Sequence, residues 1–523
     1  MDRSHQSPVP SAPSEPTTAG PDPEQTIPGA FARTVERRPS APALSDGHAG
    51  LTYAELDAAV RAASDRLAER IGPGSRVMLQ VRRSAEYVVA YLAVLRLGAV
   101  VAPLPVDAGP EEVLRDLRIC APDLLLRDFT AARGPVPPTS VPVARVPVTA
   151  HATGRVGLPE PAGGTATAPP PREDAGHPDA TALLLSTSGS YGMPKRVALS
   201  HRAVLANARA HRASLDLGDE RETALVTVPP GFGYANTVQL VGQLLSGGHV
   251  VLLEGTFLPS RFGALVQRHR VTTTLLVPSM LRLLTQGGWY REYDLSSLRH
   301  IVFGGAPTPP GLLERVGSLL PGTELVETYG QTEAGPRVTT LRGRDRAAHP
   351  GTVGRAIPGV EITVRAPDGS VLPPGRTGEI AVRSPGVMKG YHGAPEETAR
   401  VLRDGWLYTG DLGSLDPEGH LTLRGRLRNI AIVNGMNVSL EEVETCLSGH
   451  RAVEEAVCRP ADDVRSGERL VAHVRLAPGY DPSITDALLS YCRERLSRHK
   501  VPQAVVVVPD FPRTRNGKII RRT

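Results

Sequence analysis

The sequence predicts an α/β fold with more than one domain, and three observations support this prediction. The chain has 523 residues, of which 40% are hydrophobic and 22% charged, a globular composition in a length that exceeds one ordinary domain. As far as about residue 350, short apolar runs typical of buried strands alternate with segments of helical periodicity. Shorter strand-like runs follow, separated by Gly and Pro, and the chain closes with an α+β pattern.

The elements predicted near the N-terminus agree with the α/β class. Residues 1–28 are rich in Pro, Ser and Thr and are expected to be disordered. The segment LTYAELDAAVRAASDRLAERI predicts a helix, with Thr52 as N-cap and Glu55 completing a capping box. The runs RVMLQV and AVVAPLPV are predicted strands on either side of a helix in AEYVVAYLAVLRLG. This βαβ order predicts a parallel sheet packed by helices.

The middle and the end of the chain extend the prediction. A flexible loop rich in Pro and Gly is expected at about residues 150–178. Strand and helix patterns then alternate from ATALLLSTSGS to LRHIVFGG, and the runs VEITVRA, GEIAVRS and GHLTLRGR predict a small β unit. The patterns after residues 425–428 predict a compact α+β domain.

Composition excludes several classes of function. The net charge is only +5 and aromatic residues make up 4%, with no long run of Lys or Arg, which argues against nucleic-acid binding. The four cysteines are scattered, so neither a disulfide framework nor a metal site is indicated. There is no apolar run long enough to span a membrane and no signal peptide, so a cytoplasmic location is expected.

The segment LLLSTSGSYGMPKRV carries the strongest chemical signal. A predicted strand, Ala182–Leu185, leads into a loop of Ser, Thr and Gly that ends at Lys195. Backbone N–H groups, hydroxyls and one ammonium together can bind a polyphosphate. The loop is not a Walker motif, because Met193 and Pro194 precede the lysine. An ordinary Ser/Gly turn is the alternative interpretation.

Three further segments contain aromatic, acidic or basic residues that could take part in the same binding site. ETYGQTEAG places Tyr329 close to Glu333, YTGDLGSLDPEGHLTLRGR holds Asp411 and Arg426, and PRTRNGK holds Lys518. Each residue taken singly has an ordinary explanation as a core, turn or solvated surface residue.

Taken together, these segments resemble the adenylate-forming superfamily, which includes acyl-CoA synthetases, adenylation domains of peptide synthetases and firefly luciferase-like enzymes. The resemblance runs from about residue 30 to residue 523 and rests on seven segments in the family's order: TSGSYGMPK, FGGAP, ETYGQTE, YTGDL, LRGRLRNIAIVNGMNVSLEEVE, HKVP and PRTRNGK. It implies an AMP-binding domain at residues 29–425, a hinge at residues 426–428 and a mobile C-terminal lid at residues 429–523.

The implied reaction has two steps. A carboxylate attacks the α-phosphate of ATP to give acyl-AMP and pyrophosphate, and a nucleophile, usually a thiol, then releases AMP. The resemblance implies that the β- and γ-phosphates are held by Thr187, Ser188, Gly189, Ser190 and Lys195. It implies that the backbone approaches the adenine closely at Gly304, Gly305 and Ala306.

The resemblance assigns roles to the other motif residues as well. Tyr329, followed by Gly330, would stack on the adenine, Thr332 would contact the α-phosphate, and Glu333 would bind Mg²⁺ through carboxylate oxygen. Asp411 would accept hydrogen bonds from the ribose hydroxyls, and Arg426 would contact the ribose and the phosphate region.

The lid would supply Lys518, which bridges the acyl carboxylate and the α-phosphate. A compact ammonium with three donors can contact two oxygens on different molecules, for which the planar guanidinium is less suited. The composition supports a specific need for lysine here, since almost every other cation of the chain is arginine. Arg428 stands at the hinge position, where the family usually has Asp or Lys.

The phosphate loop departs from the family pattern at two positions. Tyr191 replaces a common Thr or Ser, and Arg196 replaces a common Gly. The arginine is expected either to change the flexibility of the loop or to add a phosphate contact.

The acid substrate is expected to lie against PPGFGYANTVQL, where Phe232 and Tyr234 are predicted to line the pocket; core packing is the alternative for both. Residues 229–236 contain no acidic side chain to pair with an ammonium, which disfavours free α-amino acids.

Coenzyme A is the favoured acceptor. The phosphopantetheine arm of a separate carrier protein and an amine remain alternatives. A non-catalytic nucleotide-binding regulator is less favoured, because Lys518, Glu333 and Asp411 are all present. By analogy, the Arg-, Ala-, Pro- and Gly-rich composition suggests a bacterial ligase of specialised biosynthesis.

Overall fold

The computed structural model describes most of the chain, with several gaps. The described residues are 25–47, 50–108, 110–132, 139–146, 176–187, 195–218, 222–305, 308–427, 430–433, 436–463, 467–496, 500–513 and 519–520. Most of the expected N-terminal tail and residues 150–175 of the expected loop lie outside these ranges. The first helix begins at Ile27, with Thr26 as its N-cap, so the described chain is helical before the expected end of the tail.

A large sheet, called here the first sheet, is built mainly from parallel strands. Its seven described strands lie in the spatial order Glu324–Thr328, His300–Gly304, Thr273–Leu276, Thr223–Val226, His249–Leu252, Pro42–Ser45 and Gly50–Thr52. Every pair is parallel except the last, which is antiparallel. Parallel strands need covered faces, which explains why these strands read as apolar runs without alternation.

The second sheet repeats this construction with strands that lie, in the chain, mainly between Thr52 and His201. Its seven described strands lie in the order Gly390–Tyr391, Lys195–Ser200, Thr181–Thr187, Val100–Pro103, Arg76–Gln80, Leu124–Arg127 and Val143–Arg145. The strand that begins at Lys195 is antiparallel to its neighbours on both sides, whereas the remaining pairs are parallel. An antiparallel edge is common on a largely parallel sheet.

Helices cover both sheets and fill the space between them. The longer ones are Ile27–Arg37, Tyr53–Leu67, Ala85–Arg96, Pro110–Cys120, His201–Ser214, Pro259–His269 and Pro310–Leu319. Shorter helical segments are Gly242–Leu245, Pro278–Leu284, Trp289–Arg291, Thr332–Ala334, Gly343–Arg346 and Pro395–Val401, and Tyr234–Val241 forms a π-helix.

Two of these helices show how the sequence determines them. The predicted capping box is present: Thr52 accepts a hydrogen bond from the Glu55 backbone, and the Glu55 carboxylate accepts one from the Thr52 N–H at 2.8 Å. In the helix Ala85–Arg96, residues 85–95 are all buried. A helix that is apolar all round belongs in a core, and each Val or Leu buried there contributes about 1.5–3 kcal/mol.

A smaller antiparallel unit follows the two large sheets. Its five described strands are Glu361–Arg365, Gly378–Arg383, Leu402–Arg403, Trp406–Leu415 and Leu421–Arg426. A separate pair of short strands, Thr339–Thr340 and Arg355–Ala356, leads into it. The hairpin of the last two strands is important for the site, since its register places Asp411 opposite Arg426.

The C-terminal part of the chain forms a unit with its own core. Five described strands, Ile430–Val433, Met436–Ser439, Val453–Asp463, Gly467–Leu476 and Ala504–Val507, pack against the helices Leu440–Ser448 and Thr485–Arg495, with a short turn at Pro482–Ile484. This unit contacts the preceding part of the chain through an ion pair between Glu455 and Arg282, in which Oε1 and Nη1 are 4.0 Å apart.

The predicted fold class is confirmed: two helix-covered sheets, a small β unit and a C-terminal α+β unit follow one another in the expected order. The difference lies at the edges of the large sheets, where antiparallel strands close arrays that were predicted as parallel. Apolar strand runs do not report strand direction, because a buried strand has the same composition in either orientation.

Candidate active site

Three of the predicted nucleotide-binding segments begin where strands end. Thr187 ends one strand of the second sheet, Gly304 ends a strand of the first sheet, and Tyr329 directly follows the neighbouring strand. Ligands of open α/β sheets bind beyond the carboxyl ends of the strands, so this placement is suited to a binding site.

Three of the residues expected to contact the nucleoside form one connected group. The Tyr329 hydroxyl donates to Asp411 Oδ2 at 2.7 Å, and Arg426 Nε lies 2.8 Å from Asp411 Oδ1. The Asp411 charge raises the pKa of Arg426, and burial raises the pKa of the Tyr329 phenol. The carboxylate therefore holds both neighbours, and its position depends on the hairpin register that places it beside Arg426.

Glu333 lies at the edge of this group. Its short 3₁₀ turn, Thr332–Ala334, follows the Tyr329 segment directly, and its carboxylate accepts a hydrogen bond from the Tyr391 hydroxyl at 3.1 Å. Burial raises the pKa of Glu333, and the charges of both Arg426 and Asp411 act on it. A carboxylate that is desolvated in this way is suited to a hard cation, which would restore its ionised form.

Lys195 extends from the second sheet towards Tyr391, the residue that contacts Glu333. It lies opposite Thr187 in the strand register, and its ammonium lies 4.5 Å from the centre of the Tyr391 ring. The ammonium forms an ion pair with Glu397, from the helix Pro395–Val401. Because Tyr391 contacts both Lys195 and Glu333, the predicted phosphate lysine and the predicted metal ligand belong to one site.

Two glycines are required by close backbone approach. A Cβ on Gly304 would lie 2.4 Å from the Thr328 carbonyl oxygen, and a Cβ on Gly330 would lie 2.3 Å from that of Pro336. Gly305 has a φ of +84°, in the region that favours glycine. The structure thus gives these three predicted positions a backbone reason for being glycine.

The predicted acid-binding segment runs beside the Thr332 turn. A Cβ on Gly233 would lie 3.8 Å from the Thr332 side chain. Phe232 is 36% exposed, whereas Tyr234 begins the π-helix and its hydroxyl is buried. π-Helical turns frequently occur at functional sites, which agrees with a pocket role for this segment.

The second alternative for Arg196, a phosphate contact, is wrong. The side chain is only 1% exposed and donates to the carbonyl oxygens of Pro103 and Leu184, while Nη2 lies 3.3 Å from Asp116. The guanidinium therefore connects the second sheet to the helix Pro110–Cys120, which follows Val100–Pro103, and its contacts are with these elements.

Several predicted residues lie outside the described part of the chain. They are Ser188, Gly189, Ser190 and Tyr191 of the phosphate loop, Ala306, the hinge residue Arg428, and Lys518. Their roles stay predictions. The described neighbours of Lys518 pair with one another: Arg513 is opposite Ile519, and the Ile520 N–H donates to the Pro512 carbonyl at 2.7 Å.

The site also contains residues that the sequence did not single out. Gln331 Nε2 lies 3.4 Å from Asp411 Oδ2, and its position inside ETYGQTE could have indicated it. Tyr391 and Glu397 fall in no recognised segment, so only the fold brings them to Lys195.

A cluster of possible metal ligands occurs elsewhere, in His349, Glu418 and His420. The two imidazole rings are stacked with centroids 3.4 Å apart, and Asp416 lies within 3.7 Å of both rings. Imidazole lone pairs lie in the ring plane, so parallel stacked rings cannot both face one ion. We interpret the cluster as a group of polar contacts that holds the hairpin turn.

Glu327 allows a first prediction, on stability. It lies on the strand before Tyr329, and burial raises its pKa to about 7, with the Arg346 charge opposing this only in part. The pKa of Glu327 is higher in the folded than in the unfolded protein, so folding favours the protonated carboxyl. The contribution of this protonated carboxyl to the free energy of unfolding is complete below the ordinary carboxyl pKa and is lost as the pH rises through about 7. We expect Glu327→Gln to raise the free energy of unfolding by about 1–3 kcal/mol at about pH 8 and to change it little at about pH 5.

Urea unfolding of the wild type and Glu327→Gln at both pH values checks this expectation. An equal difference between the two proteins at both pH values would contradict it. Glu314→Gln, on an exposed helix surface, is the control that should show no pH-dependent difference.

No helix among the described residues is long and apolar enough to cross a membrane.

Comparison with known proteins agrees with the geometry. Residues 31–392 match the family described as AMP-binding enzyme, and residues 442–518 match the AMP-binding enzyme C-terminal domain. A feruloyl-CoA synthase of Amycolatopsis sp. is 35% identical over 493 residues, which cover 94% of this chain and 96% of the relative.

Solved structures show the same likeness. The O-succinylbenzoate coenzyme A synthetase of Bacillus subtilis in complex with AMP has a TM-score of 0.80 at 28% identity, covering 94% of this chain and 97% of that one. The amide bond synthetase McbA of Marinactinospora thermotolerans also has a TM-score of 0.80, at 30% identity, with 95% and 98% covered. The resemblance to adenylate-forming enzymes is thereby confirmed, and this chain belongs to the family of AMP-binding enzymes.

Proposed function

We propose that this AMP-binding enzyme is an acid–thiol ligase, which activates a carboxylic acid with ATP and transfers the acyl group to coenzyme A. The observation that carries the proposal is the single site in which Lys195, Tyr391, Glu333, Asp411 and Arg426 are connected. Such a site offers fixed charges of both signs where a triphosphate, a metal ion and a ribose have to be held together.

The chemistry explains why these groups are needed. A carboxylate and a polyphosphate repel each other, so catalysis of the first step consists mainly of positioning and charge neutralisation. Lys195 supplies positive charge from the second sheet, where it forms an ion pair with Glu397. ATP binding would therefore exchange the carboxylate for phosphate oxygens.

Glu333 is the residue that would hold Mg²⁺. Its carboxylate is desolvated and accepts a hydrogen bond only from Tyr391 among the described side chains, which agrees with a role as ligand. A bound Mg²⁺ would neutralise charge on the phosphates. Asp411 is suited to the ribose hydroxyls as a hydrogen-bond acceptor whose position is fixed by Tyr329 and Arg426.

The two-part architecture also belongs to the proposal. We infer an AMP-binding domain at residues 29–425, a hinge at 426–428 and a mobile lid at 429–523 that carries Lys518. The separate core of the C-terminal unit supports this division. A movable unit can insert a catalytic lysine for the first step and withdraw it for the second.

The acceptor is the part of the proposal that has alternatives. Coenzyme A is favoured because feruloyl-CoA synthase is related over nearly the whole chain. A carrier-bound phosphopantetheine thiol or an amine could take its place in the same second step, and the likeness to an amide bond synthetase supports testing an amine.

The first experiment follows pyrophosphate release from ATP and Mg²⁺ with a panel of carboxylic acids. Hydroxylamine traps acyl-AMP as a hydroxamate, so acid-dependent release together with hydroxamate formation is expected. Leaving out Mg²⁺ should abolish both signals. Pyrophosphate release that is never acid-dependent would overturn the enzymatic proposal in favour of a nucleotide-binding regulator.

The second experiment adds one acceptor at a time to an acid that gives a signal. Coenzyme A, a holo-carrier protein and a primary amine are compared by mass spectrometry of the acyl product. We expect the coenzyme A thioester to form fastest. A faster amide or carrier product would assign the corresponding alternative.

A further inference from the structure

Arg337 is a buried cation without a counter-charge. It follows the Thr332–Ala334 turn, and its side chain is 0% exposed. Nη2 donates to Thr340 Oγ1 at 2.6 Å, while Nε and Nη1 have no hydrogen-bond partner among the described residues. Among the described residues, the ionisable side chains that interact with its charge are Tyr234 and His211, and no carboxylate does so.

A buried guanidinium without a counter-charge raises the free energy of the folded protein. Burying an ion without a partner costs several kcal/mol, and for that reason buried charges in proteins are usually paired. Burial lowers the pKa of Arg337, which records the same penalty. A group of this kind is expected where a ligand, rather than the protein, supplies the missing charge.

The location of Arg337 connects it with the substrate. The Tyr234 side chain beside it begins the π-helix of the predicted acid-binding segment, and Gly233 adjoins the Thr332 side chain. On the other side, a Cβ on Gly330 would lie 3.0 Å from the Arg337 backbone nitrogen. The arginine is therefore packed against both the nucleotide-binding motif and the acid-binding segment.

Further polar atoms around Arg337 are also unsatisfied. His211 Nδ1, and the Tyr234 hydroxyl apart from its interaction with Arg337, are buried without a hydrogen-bond partner among the described residues. His211 interacts electrostatically with Arg337 and lines a cavity together with Gln239 of the π-helix and several residues of the first sheet. Burial lowers the pKa of His211, so its imidazole is neutral and leaves the positive charge on Arg337 alone.

Glu327, an acidic residue that interacts with Tyr234, does not neutralise the arginine. Glu327 interacts electrostatically with Tyr234, but its stabilising charge is Arg346, and burial raises its pKa to about 7. Part of the Glu327 population is therefore uncharged at neutral pH. The positive charge beside Tyr234 stays without compensation in the described structure.

We propose that Arg337, together with the Tyr234 hydroxyl, forms an anion-binding subsite in the acid pocket, and that the substrate is an acid with a second anionic group. This inference rests on the proposed function, since it concerns the acid that the same site activates. A carboxylate is the anion best suited to a guanidinium, which binds it through charge-assisted hydrogen bonds. The first carboxylate would attack the α-phosphate of ATP beside Thr332 and displace pyrophosphate, while the second pairs with Arg337.

The subsite predicts strong discrimination between acids. An acid with a hydrocarbon end would bury apolar atoms against an unpaired cation, whereas an acid with two carboxylates would pair it. A site built to hydrogen-bond a substrate group rejects an analogue without that group far more strongly than a merely apolar pocket does. We expect kcat/KM to be at least about 100-fold higher for the preferred diacid than for its monoacid of equal length.

The experiment compares matched acids with the wild-type protein. Each monocarboxylic acid is paired with a dicarboxylic acid of the same skeleton, aliphatic or aromatic, and pyrophosphate release is measured at saturating ATP and Mg²⁺. Sulfonate- and phosphonate-terminated acids show whether the subsite binds anions in general or carboxylates specifically. This comparison needs no variant and does not depend on the folding of one.

Variants then assign the discrimination to the arginine. Arg337→Met is expected to lose at least about 100-fold in kcat/KM for the diacid and to lose little or gain for the monoacid, with partial recovery in Arg337→Lys. Arg127→Met, which removes a fully buried arginine of the second sheet, is the control and should leave the ratio unchanged.

Each outcome has a defined meaning. Monoacids that react as well as diacids throughout the panel would overturn the anion subsite while leaving the proposed function intact. A diacid preference that survives in a folded Arg337→Met would also overturn it. If no acid of either kind causes pyrophosphate release, the proposed function itself fails and the subsite falls with it.

Discussion

Replacing Lys518 by alanine is expected to reduce acyl-AMP formation by about 10²–10³-fold or more, whereas the dissociation constant for ATP stays close to its wild-type value. The physical reason is that the ammonium is assigned to the oxygens that repel one another only when acid and α-phosphate come together. An interaction that strengthens in the transition state raises the rate without tightening the binding of either substrate alone.

Two measurements separate these effects. Single-turnover pyrophosphate release reports the first half-reaction, and calorimetric titration reports ATP binding. Lys389→Ala is the matched control, because that lysine donates to the Asp179 carbonyl at an exposed position. Equal losses of ATP binding and of acyl-AMP formation in Lys518→Ala would contradict the assigned role.

The variant should retain part of the second half-reaction. When acyl-AMP is supplied from outside, acyl transfer to coenzyme A does not require the bridging ammonium. Transfer at a rate near that of the wild type would indicate that the lysine acts in one step only, as a lid that moves between the steps requires.

Replacing Asp411 by alanine is the second change with a large expected effect. The carboxylate accepts from the Tyr329 hydroxyl at 2.7 Å and pairs with Arg426 at 2.8 Å, so its removal leaves both groups without their partner. The Asp411 side chain is 8% exposed and that of Arg426 is 53% exposed, which places the pair between a buried and a surface ion pair. We expect a loss of about 1–3 kcal/mol in the free energy of unfolding.

The effect on the nucleotide should exceed the effect on stability. Loss of the ribose acceptor together with disorder of Tyr329 and Arg426 is expected to weaken ATP binding by at least about tenfold. Asp411→Asn keeps an acceptor for the Tyr329 hydroxyl but loses the charge. We therefore expect its free energy of unfolding and its ATP affinity to lie between those of the wild type and of the alanine variant. Urea unfolding and ATP titration of all three proteins check the order.

Asp416→Ala provides the comparison for this experiment. That aspartate lies in the turn of the same hairpin but contacts His349 and His420 instead of the site residues. It should change stability without a matching change in ATP affinity. An Asp411→Ala protein that binds ATP as the wild type does would refute the assignment of the ribose contact.

Local sequence was sufficient for many elements of the fold. The capping box of Thr52 and Glu55 and the largely apolar helix Ala85–Arg96 are present as predicted, because contiguous residues determine both. The antiparallel edges and the π-helix Tyr234–Val241 were not predictable in this way. Strand direction and the extra residue of a π-turn are decided by the elements packed against them.

The site shows the same division. Thr187, Lys195, Tyr329, Glu333 and the other motif residues could be named from the chain because each lies in a short segment with family spacing. Tyr391, which contacts both Lys195 and Glu333, carries no such signal. Arg337 also lies next to a recognised motif, but only its burial without a counter-charge indicates a role in substrate selection.

The sequence by itself determined the fold class, the family and the residues expected to bind ATP, because helix periodicity, capping and motif spacing are properties of contiguous residues. Only the tertiary structure decided which charges are paired, which cation is left without a partner and in which direction Arg196 points. These depend on contacts between segments that lie far apart in the chain, and on the loss of water around them, which no local pattern records.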